Sequence, residues 1–369
     1  MSLKLFLRYP MNWMLARRIL KQKDPHPGNL SCRPLVLDLK TTQMLFDGGR
    51  HLFTIAHYSS ENGTPTYLRC SGLILSGIAH KIHGKQMLEA SHVGYLHPSQ
   101  PLPKDALILR DHEVTEDQTK QLTELGHRCF RMKIGRDLPT EPPVMPYPMH
   151  PYTLQALRRN HLATLRQIEQ RECLVLFAGC QKSRYGTSWM EEQFKILSRL
   201  DCLKTVRETF SNDVVQSMEQ AHQRTEQSRS TKEIRILDSK EHPISAKNWL
   251  PTLAKSHFFL CGPGGRQPIC HNLVEAMAVG TIPIIEYGDR IYPELIDGEN
   301  AICFQGKAGL IDAIHRIRSM NLEEISQLQK RVGIFHDQKL CGKQFFGRLL
   351  QDKIEGQQLA MPFHEKNFD

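Results

Sequence analysis

Five residues with chemical reach are strung through one short stretch, GGRQPICHNLVEAM: Arg266, Gln267, His271, Asn272 and Glu275. Immediately before it, HFFLC is an apolar run of strand length. Gly262, Pro263, Gly264 and Gly265 break that run into a tight loop. Cys270 to Val279 is rich in good helix formers and predicts a short helix ended by Gly280; TIPII then predicts a second buried strand. The unit is strand, glycine-rich loop, helix, strand. Such a unit presents a helix N-terminus and free backbone amides at the carboxyl edge of a parallel sheet, where phosphate-bearing ligands bind. A plain buried unit of this topology serves many functions. The polar set argues for more, because such groups are costly beside buried strands unless a ligand or water satisfies them. Two other groups could do chemistry. Gly179 ends an apolar run and is followed by Lys182 and Arg184, and Asp47, His51 and His57 surround a Gly-Gly pair in DGGRH.

FFLCGPGG, then HNLVEAMAVGTIPII, then ELIDGENAICF resembles the donor-binding half of GT-B glycosyltransferases, most nearly exostosin-like and related nucleotide-sugar enzymes. The resemblance covers about fifty residues, Thr252 to Phe304. It implies that the helix start meets the donor diphosphate and that Glu275 holds the ribose hydroxyls. By the same likeness Lys182 and Arg184 neutralise the β-phosphate, where fixed cations stabilise a departing nucleoside diphosphate. A solvated turn is the plainer explanation of QKSR. Asp47, His51 and His57 become the best-placed residues of the first half to take the acceptor hydroxyl proton in an inverting transfer. Many retaining members carry a Glu eight positions before the one matched by Glu275. Gln267 stands there, so neither the retaining mechanism nor its sugar contact carries over.

Composition sets the frame. A chain of 369 residues with 40% hydrophobic and 24% charged residues is comfortable as two soluble domains. No run approaches the roughly 18 apolar residues of a membrane span, and no secretory signal is expected. Ten cysteines form no Cys-x-x-Cys pair and no zinc spacing. Several sit in apolar runs, so a reducing cytoplasm is the simpler inference, with disulfides left open. The net charge of +9 is concentrated early, with eight Lys or Arg against Asp24 and Asp38 before Thr41. A basic segment bearing Trp13, Met14 and Leu20 could lie on an anionic membrane, or pack on the body of the protein. Nucleic acid is not expected, since the basic groups are not interleaved with aromatics.

In order, PLVLDL (34–39) predicts a first strand and residues 66–80 one or two more. DALILR predicts a strand, residues 114–125 a helix, and residues 152–171 a single helix after a proline-rich approach to a domain boundary. His80 and His83 could share a helical face as metal ligands, although solvent-facing histidines are the commoner outcome. CLVLFA predicts the first strand of the second domain, residues 189–200 a helix, residues 211–233 a polar loop or exposed helix, and 342–359 a terminal helix. The expected fold is α/β: two Rossmann-like domains facing a cleft, with a C-terminal helix crossing back to the first. The divisions are a basic segment 1–30, an acceptor domain 31–150, a donor domain 151–340, and a crossover helix and tail 341–369.

The function so read is transfer of a sugar from a UDP- or GDP-sugar to a glycan or lipid-linked acceptor, as in polysaccharide biosynthesis. Gly179, Lys182, Arg184, Gly264, Gly265, Arg266, Gln267, His271, Asn272 and Glu275 would bind the donor. No cofactor beyond the nucleotide sugar and no essential metal are expected, the chain having no Asp-x-Asp. A sugar-nucleotide epimerase on the same fold and a non-catalytic glycan-binding module are the alternatives.

Overall fold

The computed structural model describes residues 8–22, 32–135, 143–157, 161–168, 171–217, 219–220 and 232–362. Pro139, Pro142, Arg158, Arg159 and most of the polar stretch 211–233 lie outside them. The chain divides into two compact units, Met1–Pro151 with Gly342–Asp369, and Tyr152–Cys341.

Unit 1 is built on a six-stranded parallel sheet. Its strands are β1 (Leu35–Leu39), β2 (Thr66–Cys70), β3 (Val93–Leu96), β4 (Leu107–Arg110), β5 (Arg128–Gly135) and β12 (Gln358–Pro362), in the order β12-β5-β4-β1-β2-β3. Leu35 and Leu37 of the central strand have no exposed surface. Each such side chain contributes roughly 1.5–3 kcal/mol by leaving water.

Residues 66–80 form one strand and then a helix, Gly72–His80, where strands alone were expected. The Ser71 hydroxyl accepts from the Ile74 amide and starts the helix, so a cap prevails over a β-like apolar composition. The next helix, Ile82–Glu89, begins after extended Lys81, so His80 and His83 do not share a helical face. Among the described residues no group of three His, Cys, Asp or Glu side chains is placed to hold a metal ion.

The helix Tyr9–Lys21 buries Asn12 and Ala16 and packs on Gly72–His80, with Met11 and Met14 exposed. No helix of the described residues is long and apolar enough to cross a membrane.

The tail differs from a single long helix. Its helix covers Gly342–Leu350 and packs on the helix Arg50–Glu61, with the Tyr58 and Phe346 rings stacked 6.0 Å apart. After it the chain extends into β12, which pairs in parallel with β5 from Gln358–Arg131 to Pro362–Gly135. Pro362 is tolerated there because β12 is an edge strand.

Unit 2 carries the second parallel sheet. Its strands are β6 (Cys173–Gly179), β7 (Val214–Val215), β8 (Ile234–Asp238), β9 (Ser256–Leu260), β10 (Ile282–Ile285) and β11 (Ile302–Cys303), in the order β11-β10-β9-β6-β8-β7. The expected helix over 152–171 is two short ones, Pro151–Ala156 and His161–Arg166. The expected helix over 189–200 is also divided. It stops at Phe194 because Lys195 is left-handed, and a new helix, Arg199–Thr209, starts at a Ser198 cap. All ten cysteines are free thiols.

Candidate functional site

In unit 2 the turn after β6 and the loop after β9 meet, and a residue the sequence did not single out joins them. Arg199, the first residue of its helix, is 5% exposed. Its Nη1 donates to the Cys180 carbonyl and its Nε to the Pro263 carbonyl, both at 3.0 Å. The guanidinium lies 4.0 Å from the centre of the Tyr185 ring. Nearby, Trp189 Nε1 donates to the Arg266 carbonyl at 2.9 Å, and a Cβ on Gly265 would touch the Tyr185 ring. The loop also closes on itself, the Gly264 amide donating to the Pro268 carbonyl. A Cβ on Gly264 would collide with the Gln267 carbonyl oxygen, so only glycine fits that position.

Around this junction Lys182, Arg184 and Arg266 are exposed, while Gln267 is buried. Arg184 rests on Tyr185, with its Nη2 on the phenol oxygen at 2.8 Å. Gly179 is half-buried, as are His271 and Asn272 at the start of the helix His271–Ala278. The Asn272 side-chain amide reaches the Ala178 carbonyl at 3.5 Å, tying the helix to the end of β6. Thus Gly179, Lys182, Arg184, Gly264, Gly265, Arg266, Gln267, His271 and Asn272 all belong to one pair of adjoining loops and the helix that follows.

Glu275 is a different matter. It has no exposed surface, and its Oε2 accepts from Trp249 Nε1 at 2.6 Å and lies 4.0 Å from His271 Nε2. In this state its carboxylate braces the indole and the imidazole instead of facing solvent. His271 in turn holds Cys270, its Nδ1 being 3.9 Å from the thiol sulfur. Burial would raise that thiol's pKa. The His271 imidazole, the Arg199 guanidinium and the Asn272 backbone N–H outweigh burial and lower it to about 6. Farther along the same sheet edge a cavity of about 500 Å³ opens between Phe194, Ile196, Glu286, Arg290, Leu295 and Phe304. None of the residues expected at the site lines it.

In unit 1 the DGG turn is real. Asp47, Gly48 and Gly49 all have positive φ, and Gly49 abuts the Gly84 backbone. Asp47 pairs with Arg50 at 2.6 Å, and Arg50 also donates to the Tyr147 hydroxyl. His51 is 4% exposed, its ring edge-on to Tyr147. His57 lies farther along the helix, stacked on Phe53 and 3.9 Å from Glu61, with burial lowering its pKa. The structure therefore keeps Asp47 at the turn, buries His51, and does not bring His57 to them.

A second cluster lies at the carboxyl ends of β1 and β4, where the strand order reverses. Asp111, just after β4, accepts from the Lys40 amide at 2.8 Å and from the Thr41 amide and hydroxyl at 3.0 and 2.6 Å. Burial pushes its carboxyl up, but these bonds and His112 prevail and lower it. His112 sits between two carboxylates, Nδ1 3.4 Å from Asp111 and Nε2 3.7 Å from Asp38. The signal was present in the sequence as charged residues ending an apolar run, LILRDH.

No protein-family model and no curated protein matches this chain. Solved structures resemble it at low identity. A glycosyltransferase from Rickettsia africae is 9% identical over 86% of this chain and 99% of its own, with a TM-score of 0.46. HepE from Anabaena, in complex with UDP and glucose, is 10% identical over 87% and 99%, at 0.41. WaaG, a glycosyltransferase of lipopolysaccharide biosynthesis, is 11% identical over 86% and 99%, at 0.36. None of these scores reaches 0.5.

Proposed function

We propose that the protein is a glycosyltransferase that binds a nucleotide sugar on unit 2 and passes the sugar to a hydroxyl of a glycan or lipid-linked acceptor held on unit 1. One observation carries the reading. Two loops that leave neighbouring parallel strands are clamped together by buried Arg199, beside a helix start and three exposed cations. Amides and guanidinium groups so fixed suit a pyrophosphate, and they stabilise the charge that accumulates on it as the glycosyl bond breaks. The motif resemblance over Thr252 to Phe304 supplies the sugar.

In this reading Lys182, Arg184 and Arg266 take the phosphates, with the amides and side chains of His271 and Asn272 completing the cradle. Glu275 positions His271, and contact with a ribose would require Trp249 to release it. The acceptor proton goes to a group on unit 1. Asp47 is the most exposed of the three expected residues, and His112, held between Asp38 and Asp111, is a further imidazole of unit 1 that could serve as base.

The test is a panel of nucleotide sugars followed by thermal shift. A UDP- or GDP-sugar at a hundred times its Kd adds about 2.7 kcal/mol of stability. That shift should shrink in Lys182→Ala and Arg266→Ala. A panel that leaves the melting temperature unmoved overturns the proposal. Turnover of a donor with no acceptor present would point to an epimerase instead.

A further inference from the structure

Four charged residues stand side by side across the middle of the unit 1 sheet. Arg131 of β5 is in register with Arg110 of β4, Arg110 with Asp38 of β1, and Asp38 with Arg69 of β2. Two residues earlier on the same strands, hence on the same face, come Cys129, Ile108, Val36 and Tyr67, which form one buried cluster. The face thus changes from closed apolar core to a row of three guanidinium groups and one carboxylate within a single step along the strands. The row lies at the carboxyl end of the sheet and spans the point where strand order reverses, the place where open parallel sheets bind ligands.

The charges are unevenly matched. Arg69 donates from Nη1 to Asp38 at 3.1 Å and from Nη2 to the Pro98 carbonyl. Arg131, toward the solvent, pairs with Glu113 at 2.6 Å. Arg110 pairs with no carboxylate among the described residues. It is 7% exposed, its Nη2 meets only the Thr119 hydroxyl at 3.2 Å, and its Nε and Nη1 have no hydrogen-bond partner there. A buried guanidinium with two unengaged nitrogens is expensive to maintain, and an anion is the ligand that would repay it.

We infer that the Arg69–Asp38–Arg110–Arg131 row is an anion site, and that the acceptor brings to it an acidic group, phosphoryl or carboxylate, alongside the hydroxyl that receives the sugar. The anion site stands on unit 1 alone; its assignment to an acceptor rests on the glycosyl-transfer reading. His112 touches Asp38 of the same row, so an acceptor anchored there has its hydroxyl near a proton-accepting imidazole.

The experiment uses the full chain carrying Lys182→Gln, Arg184→Gln and Arg266→Gln, so that phosphate binding by unit 2 is suppressed. Inorganic phosphate and, separately, acetate are titrated by calorimetry and thermal shift at ionic strength held constant with chloride. Phosphate is expected to bind, and Arg110→Gln and Arg69→Gln are each expected to weaken it about tenfold or more, the loss of one charged hydrogen-bonding partner. Arg110→Gln should also melt no lower than its parent, which a purely structural arginine would not allow. Should that variant fail to fold, Arg69→Gln carries the test. An equal response to acetate supports a carboxylate-bearing acceptor, and a response to phosphate alone a phosphorylated one. Failure of both anions to bind, or binding unchanged in both arginine variants, overturns the site. Nucleotide-sugar shifts on the unaltered chain are read separately. Their absence beside intact phosphate binding removes the transferase reading and leaves the anion site standing.

Discussion

Cys270 carries a thiol that its surroundings make more acidic than usual. Its thiol stands at a helix start against His271, and its pKa is lowered to about 6 despite burial. Alkylation by iodoacetamide, followed by peptide mass mapping, should therefore reach half its maximal rate near pH 6 at Cys270. His271→Ala should move that midpoint upward, since the imidazole is the largest of the lowering influences. Protection of Cys270 by a bound nucleotide sugar would tie the thiol to the donor loops. Arg199 is the second decisive residue. Arg199→Met strands the Cys180 and Pro263 carbonyls and should cost about 1–3 kcal/mol in chemical denaturation while abolishing the nucleotide-sugar shift. Arg199→Lys should restore little of either, because an ammonium cannot reach two carbonyls and lie flat on Tyr185.

At the scale of elements, the tail of unit 1 is the sharpest test. A Cβ on Gly342 would collide with the Tyr58 ring, so Gly342→Ala must lift the terminal helix from the helix Arg50–Glu61. A loss of about 1–3 kcal/mol and faster proteolysis after Leu350 are expected. Truncation after Leu350 removes β12 and leaves the edge of β5 unpaired, so the shortened protein should self-associate at concentrations where the parent does not.

The same elements show what a reader of the sequence could reach. β1, β6, β9 and β10 were legible because each carries a dense apolar run closed by glycine or charge, with Asp38 the one charged residue inside β1. The glycine loop before His271 was legible for the same reason. β12 was not: QLAMP is short, partly polar and ends in proline, and only its long-range pairing makes it a strand. Residues 72–80 misled because a continuous apolar run does not distinguish a buried helix from a strand; the serine cap decided it. Arg199 was invisible because its partners lie 19 and 64 positions away, and nothing local marks an arginine as a clamp. The arginine row was hidden likewise, since register across four strands is a tertiary fact.

For the molecule as a whole, acid should act in two stages. His257 in unit 2 is held well below its usual pKa, to about 4, by burial and then by the Arg171 charge. The unfolded chain takes up that proton near 6.5, so the stability tied to neutral His257 is present above pH 6.5 and drains as pH falls toward 4. Melting temperature against pH should show this decline, and His257→Gln should make it shallower, with His57, His127 and His336, each also lowered by burial, retaining their share. The depressed carboxyls of Asp111 in unit 1 and Asp297 in unit 2 act in the same sense but at lower pH. Their contribution is intact above about pH 3.8 and is lost only as the medium becomes more acidic than that. Asp111→Asn should remove part of the second stage and leave the first unaltered.

The route of the backbone adds a temporal constraint. Unit 1 begins with the early residues but receives its edge strand from Gln358–Pro362, after all of unit 2 has been made. Strands β1 to β5 can therefore emerge and pair well before the tail is free, leaving one flank of the first sheet open until the last segment is released. Slow synthesis or slow release of the tail would lengthen the interval in which the β5 flank needs a chaperone.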